Sequence, residues 1–265
     1  MNSQLIVLLP HYNNPKGLED SLRSIKEPFD VDIMIVDDGS TDTFDENKIK
    51  SIYTSGKIYF EYLEKNSGIG VVLNLGLEKI QKLNYKLVGR LDCGDLFYEN
   101  KYKKQLDYLA KNPEIKVLGT WARFIDEKGK VLFFLKHPTS YKAIKKEMYL
   151  NSMFIHPSVV FYTEIIDKIG MYPYKYRYAA QDYAFFFNAL EFFKVENYPE
   201  VLMDYIVEPN SISTTKRKLQ VKNRIKIMLE HFHLGFYPVY GLVRAAISYI
   251  TPRNVTTFIK KTVKQ

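Results

Sequence analysis

Among 265 residues there is one cysteine, Cys93, and one tryptophan, Trp121. A lone thiol excludes an internal disulfide and any multi-cysteine zinc site, and it suits a reducing compartment. A secretion signal is missing as well. The start, MNSQLIVLLPHYNN, has no basic leading segment and only six apolar residues before Pro10, so a cytoplasmic setting is expected. No stretch reaches the ~18 apolar residues of a membrane-spanning helix; Pro238, Gly241 and Arg244 break the best candidate. Acid is scarce in one region only. From Lys216 onward eleven Lys and Arg face a single acid, Glu230, whereas residues 1–215 carry 27 bases and 29 acids. The formal charge of +8 is therefore a property of the last fifty residues.

That tail runs KRKLQVKNRIK, then HFHLGFYPVYGLV, then a second basic end, KKTVK. Base and aromatic interleaved in this way fit a nucleic acid or an anionic membrane surface. Peripheral attachment fits better than spanning, a core helix is the bland alternative, and no nucleic-acid partner is expected. The rest is rich in apolar (46%) and aromatic (15%) residues, which excludes wholesale disorder. The length allows one large domain, or a domain of roughly 200 residues with an appendage.

Strand-length apolar runs at 4–9 and 31–36 each stop at polar, turn-forming residues, HYNNP and DDGSTD. Between them Leu18, Leu22 and Ile25 recur at helical spacing. Residues 57–63 alternate like a third strand, a helix follows over 67–83, and 85–91 return to strand. Beyond Leu96 the pattern predicts a helix over 99–111, strands over 115–125 and 130–135, and a helix over 139–150. A short strand in FIHPSVVFY, a short helix closed by Gly170, an apolar helix in AAQDYAFFFNALEFF and a last strand region in VENYPEVLMDYIVEP complete the body. Alternation of this kind predicts an α/β fold, a mostly parallel central sheet with helices on both faces.

Open sheets of this type bind ligands beyond the carboxyl ends of their strands. Here those ends carry Pro10-His11-Tyr12-Asn13, Asp37-Asp38-Gly39-Ser40, and Arg90 through Asp95. Tyr12 can stack on a base, Asp37 or Asp38 can accept from base N–H or ribose hydroxyls, and Arg90 can reach a phosphate. Asp92 and Asp95 can hold a divalent cation on a diphosphate, or simply form a turn.

LLPHYNN, IMIVDDGSTD, NSGIGVVLNLGL, GRLDCGD, HPSVVF and AAQDYAFFF occur in the order found in family 2 glycosyltransferases, which the chain resembles over about residues 4–205. The resemblance implies a GT-A, Rossmann-like fold, a nucleotide-sugar donor with UDP the commonest base, Mn²⁺ or Mg²⁺, and inversion at the anomeric carbon. It places Pro10, Tyr12, Asp37, Asp38, Gly68, Asn74, Arg90 and Asp92 around the donor. Asp95 is the metal ligand, supported by Asp92, and Asp182 is the base. His156, Gln181 and Trp121 are positioned for donor or acceptor. Two departures stand out: Gly94 where Asp is common, and Gln181 where Glu precedes the base. A helix start at Asp182 is expected to lower its basicity.

The implied organisation is a catalytic domain over 1–215, with a nucleotide-binding half (1–98) and an acceptor half (99–215), and a basic helical tail over 216–265. The implied acceptor is a hydroxyl of a glycan or lipid-linked glycan in lipopolysaccharide, capsule or O-antigen synthesis, at the inner face of the cytoplasmic membrane. A sugar nucleotidyltransferase is the alternative enzyme, though PHYNNPKG is a poor phosphate loop. A non-catalytic membrane- or nucleic-acid-binding adaptor is the alternative from another class.

Overall fold

The computed structural model describes residues 4–207 and 216–251. The boundary at 215 and the basic end KKTVK lie outside the described residues. Strands β1 (Leu5–His11), β2 (Asp32–Asp37), β3 (Ile58–Tyr62) and β4 (Leu87–Arg90) run parallel in the order β3-β2-β1-β4. Every residue of β1, β2 and β4 is buried, because helices cover both faces, as the unbroken apolar runs require. The period of two divides the strands cleanly. Ile6, Leu8, Met34, Val36 and Val88 face one core with α3 (Ile69–Lys82). Leu5, Val7, Leu9, Ile33 and Ile35 face the other, with α1 (Pro15–Ser24), α2 (Glu46–Ile52) and α4 (Lys101–Lys111). Each fully buried Leu or Ile contributes about 1.5–3 kcal/mol.

The second half is built on β6 (Ile115–Ile125). It pairs antiparallel with β8 (Val160–Tyr162) and β7 (Val131–Leu135), and parallel with β9 (Lys194–Ile206). β8 lies antiparallel against β4, so one nine-stranded sheet spans both halves. The first half is all parallel, whereas the second half is mixed, with β6–β9 its parallel pair. Helices α5 (Tyr141–Glu147), α6 (Glu164–Ile169) and α7 (Gln181–Phe192) complete the body. Two elements have no counterpart in the sequence reading. Helix α2 is short and polar, and is started by the Asp45 side chain accepting from the Asn47 and Lys48 amides. Strand β5 (Leu96–Phe97) has two residues and exists because β9 arrives beside it.

Helices α8 (Arg217–Glu230) and α9 (Phe236–Ile250) form the tail as an antiparallel pair: Arg217, opening α8, donates to the Ser248 and Thr251 carbonyls that end α9. A cation on the last carbonyls also suits the helix dipole. α8 buries Val221, Asn223, Ile227 and Met228 against the body. α9 touches it through Gly241, where an added Cβ would lie 2.3 Å from the Tyr149 carbonyl oxygen.

Backbone cannot yield there as a side-chain tip can. Gly241→Val is therefore expected to cost about 1–3 kcal/mol, and to expose the 231–244 segment first. Thermal unfolding with limited proteolysis reads this out; an unchanged midpoint and cleavage pattern would contradict the docking.

Candidate functional site

Parallel register sets His11 beside Asp37 and Leu8 beside Arg90, so three strand ends open on one crevice. The Asn14 amide donates to His11 Nε2 (3.2 Å), so Nδ1 carries the proton and donates to Asp37 Oδ2 at 2.6 Å. Ser40 adds its amide to Asp37 Oδ1 (2.8 Å) and its hydroxyl to Oδ2 (2.6 Å). Burial pushes the Asp37 carboxyl up, but the Ser40 hydroxyl, His11 and the Ser40 amide together outweigh it and hold the group below its ordinary value. Asp38 accepts from the Ser67 and Gly68 amides at 2.7 and 3.0 Å, fastening the β2 loop to the start of α3. Burial dominates there and raises its carboxyl, with the Asp37 charge adding to it. Asn13, in the left-handed region at φ 48°, accepts from the Thr41 and Asp42 amides.

Pro10 is buried within β1, and Tyr12 presents a ring 49% exposed at the rim. Asp37 and Asp38 are buried, so they shape the crevice by holding its loops. Gly68 caps α3 at φ 92°, a conformation glycine adopts without cost. Asn74 exchanges two hydrogen bonds with the Tyr172 backbone (2.9 and 3.0 Å), which fixes that segment beside α3.

Arg90, read from sequence as a phosphate ligand, is instead fully buried. Its guanidinium donates to the Leu8 carbonyl, to Asp92 Oδ1 and, at 3.4 Å, to His156 Nε2. The Tyr172 hydroxyl meets the same nitrogen at 2.8 Å. Burial and then the Arg90 charge push the His156 imidazole down, which keeps it a neutral acceptor. Tyr172 stacks on Phe185 and closes the wall behind it. Nothing in the sequence motifs marked Tyr172; its proximity is purely tertiary.

The two carboxylates of GRLDCGD separate. Asp95 is 4% exposed and its Oδ1 accepts the Ile206 amide at 2.9 Å. The Asp92 side chain keeps 36% exposure. Gly94 between them sits at φ 103°, its amide held by the Ser21 hydroxyl, so this position serves the turn. Asp92 is thus the carboxylate placed toward the crevice, rather than Asp95. No group of three or more His, Cys, Asp or Glu gathers as a metal cage among the described residues. The donor set fits a divalent cation held by one carboxylate and brought in largely by phosphate oxygens, a common arrangement for Mg²⁺.

Asp182 is the second residue of α7, one position beyond Gln181, and the helix is capped by Ala180, a non-glycine residue at φ 67° whose strain is stored beside the site. Burial raises its carboxyl most strongly; the Tyr183 and Asp182 amides oppose this, Asp92 adds to it and Arg224 opposes it. The net direction is upward, opposite to the expectation from the helix start alone. Gln181 is 7% exposed. Trp121 donates its indole N–H to the His137 carbonyl (2.8 Å), and none of its observed contacts joins it to Asp92 or Asp182.

Such a sheet with its crevice at the parallel strand ends is the architecture of nucleotide-sugar transferases. S. aureus TarS 1–349 in complex with UDP-GlcNAc superposes with a TM-score of 0.67 at 15% identity, covering 93% of this chain and 73% of that one. Another S. aureus TarS structure matches over 43% of its chain. The mannosyltransferase PcManGT of Pyrobaculum calidifontis, solved with GDP-Man and Mn2+, gives 0.64 at 13% identity, covering 98% and 79%. The glycosyl transferase family 2 model matches residues 6–170, and the chain belongs to that family. Its relatives include the Escherichia coli UDP-Gal:alpha-D-GlcNAc-diphosphoundecaprenol beta-1,3-galactosyltransferase, 28% identical over 228 residues, or 83% of this chain and 78% of the relative. The amylovoran biosynthesis glycosyltransferase AmsE of Erwinia amylovora is 27% identical over 96% of both chains. Membership favours the glycosyltransferase reading over the nucleotidyltransferase one.

Asp37 predicts a pH signature in stability. With its folded value below the ordinary 3.8, its contribution is complete above that value and fades as the pH falls through the folded one. Asp37→Asn is expected to cost about 1–3 kcal/mol at pH 7, with the gap to wild type narrowing toward pH 3 in urea unfolding. A gap independent of pH would remove the carboxylate from this role.

Proposed function

We propose that the chain is an inverting glycosyltransferase that moves a sugar from a nucleotide-sugar donor, with UDP as the base, to a hydroxyl of a lipid-linked glycan in bacterial surface-polysaccharide synthesis. The observation that carries this is the half-open Asp92, held by Arg90 just beyond the end of β4, with the raised Asp182 near the start of α7 close enough for the two charges to act on each other. Tyr12 offers the base a stacking face, and the loops held by Asp37, Asp38 and Asn13 present a preformed rim. Asp92, steadied by Arg90, would hold the cation, which when bound would supply charge neutralisation for the departing diphosphate. Asp182 takes the proton of the attacking hydroxyl as its oxygen bonds to the anomeric carbon. The carbon–phosphate-oxygen bond breaks on the opposite side, releasing the nucleoside diphosphate with inverted configuration. A raised carboxyl suits a base better than an ordinary one. Among relatives, one name specifies a diphosphoundecaprenol acceptor and another amylovoran synthesis, which supports the lipid-linked setting.

Attachment to an anionic bilayer from the inner face is part of this reading. No helix among the described residues is long and apolar enough to cross a membrane. α9 nevertheless exposes Phe236 (73%), Val243 (54%), Ile247 (60%) and Ile250 (81%) along one stripe. The described tail carries seven Lys and Arg and one acid, a charge complementary to anionic headgroups.

Asp182→Asn should leave UDP binding near wild type by calorimetry and cut turnover by about 10²–10⁴-fold. In wild type the acid limb of kcat should lie above the ordinary carboxylate value of 3.8, following the upward direction at Asp182. Unchanged turnover would exclude Asp182 as base. Ile247→Glu should release the protein from phosphatidylglycerol vesicles at low salt; retention equal to wild type would exclude α9 as the contact.

A further inference from the structure

Two arginines of the tail converge on a single backbone oxygen. Arg224 of α8 donates Nη2 to the Leu150 carbonyl at 2.9 Å, and Arg244 of α9 donates Nη1 to the same carbonyl at 3.2 Å. Two guanidinium groups on one acceptor repel each other. Among the described residues neither has a carboxylate within 4.0 Å. Arg224 also leaves its buried Nε without a hydrogen-bond partner, while its guanidinium lies 5.1 Å from the centre of the Tyr183 ring. Asp182 acts on Arg224 only at a distance, and a part-buried cation with no directly bound anion is costly, so the cluster asks for a negative ligand.

Its position says which one. Asn223, the residue before Arg224, is 7% exposed and donates to the Ala179 carbonyl at 2.9 Å, which places Arg224 against the loop that opens onto Asp182. On the other side, Arg244 is solvent-exposed and borders Tyr240, Val243 and Ile247 of the apolar α9 face. An anion seated there has the base on one side and an apolar surface on the other. The planar forks of arginine match phosphate oxygens in geometry as well as charge.

We propose that Arg224 and Arg244 form a site for the diphosphate of a lipid-linked acceptor, holding its sugar toward Asp182 and its hydrocarbon along α9. This rests on the acceptor reading given under the proposed function. The same chemistry is offered by bilayer headgroups, so the test separates the two sources. Farnesyl diphosphate, farnesol and phosphatidylglycerol vesicles are offered to the full chain in calorimetry and co-sedimentation. The wild type is expected to bind farnesyl diphosphate and not farnesol. Arg244→Gln and Arg224→Gln should each weaken that binding about tenfold or more, with Arg224→Lys recovering part of it. Arg244 is exposed, so its variant should keep the wild-type unfolding temperature, and vesicle binding, carried by the apolar α9 stripe and the six other Lys and Arg of the described tail, should fall far less than farnesyl diphosphate binding. Farnesyl diphosphate binding unchanged in Arg244→Gln would overturn the proposal. So would a loss confined to vesicles, which would assign the arginines to headgroups, or displacement of farnesyl diphosphate by UDP, which would put it in the donor crevice. Because binding is read directly, a failure of sugar transfer would leave this result standing.

Discussion

Arg90 is a fully buried cation at the seam of the sheet, and the arrangement of the crevice follows from how its charge is satisfied. Removing a guanidinium from water costs several kcal/mol unless its donors are met. Here they are met by the Leu8 carbonyl of β1, by Asp92 beyond β4, and by His156 at the entry to β8. One side chain therefore references three elements to a common point. Asp92 is oriented by it, His156 is kept neutral beside it, and Tyr172 is drawn to His156, which in turn positions the wall next to Asp182.

A second constraint comes from the tail. α8 is an integral part of the loop that leads into α7: Asn223 ties down Ala179, just before the left-handed Ala180, and Arg224 lies over Tyr183. Tyr149 bonds the His231 carbonyl and reaches His233 at 3.2 Å, so the turn between α8 and α9 is also held against the body. The basic composition that marks residues 216–251 in sequence thus belongs to a docked helix pair with one buried face and one open face. Of the two helices, α8 is packed as a core helix, while α9 keeps an apolar face open.

Much of this was legible before any coordinates. β1, β2 and β4 announce themselves because burial on both faces demands unbroken apolar runs, and the loops that follow them are crowded with Asp, Asn and Gly because they must turn sharply at a ligand site. What stayed hidden depends on distance in space. Asp92 and Asp95 are both carboxylates on one turn, and only the φ of Gly94 and the Ser21 contact decide which faces outward. Arg90 reads as a surface ligand because sequence does not reveal burial. The upward direction at Asp182 needs the wall of aromatic residues around α7, whereas sequence shows only the helix start. Tyr172, and the meeting of Arg224 with Arg244 at Leu150, involve residues brought together only by the fold.

The short β5–β9 pairing, locked by Asp95 accepting from Ile206, has a mechanical consequence. The chain leaves the first half after Asp92 and is at once hydrogen-bonded into the last strand of the second half. With β8 also bridging β4 and β6, the two halves are joined at two separate seams of one sheet. Hinged closure of one half over the other would have to break backbone hydrogen bonds at both. Such a framework favours opening and closing by loops over bending between lobes, and it leaves surface segments free to vary while the strand ends keep their places.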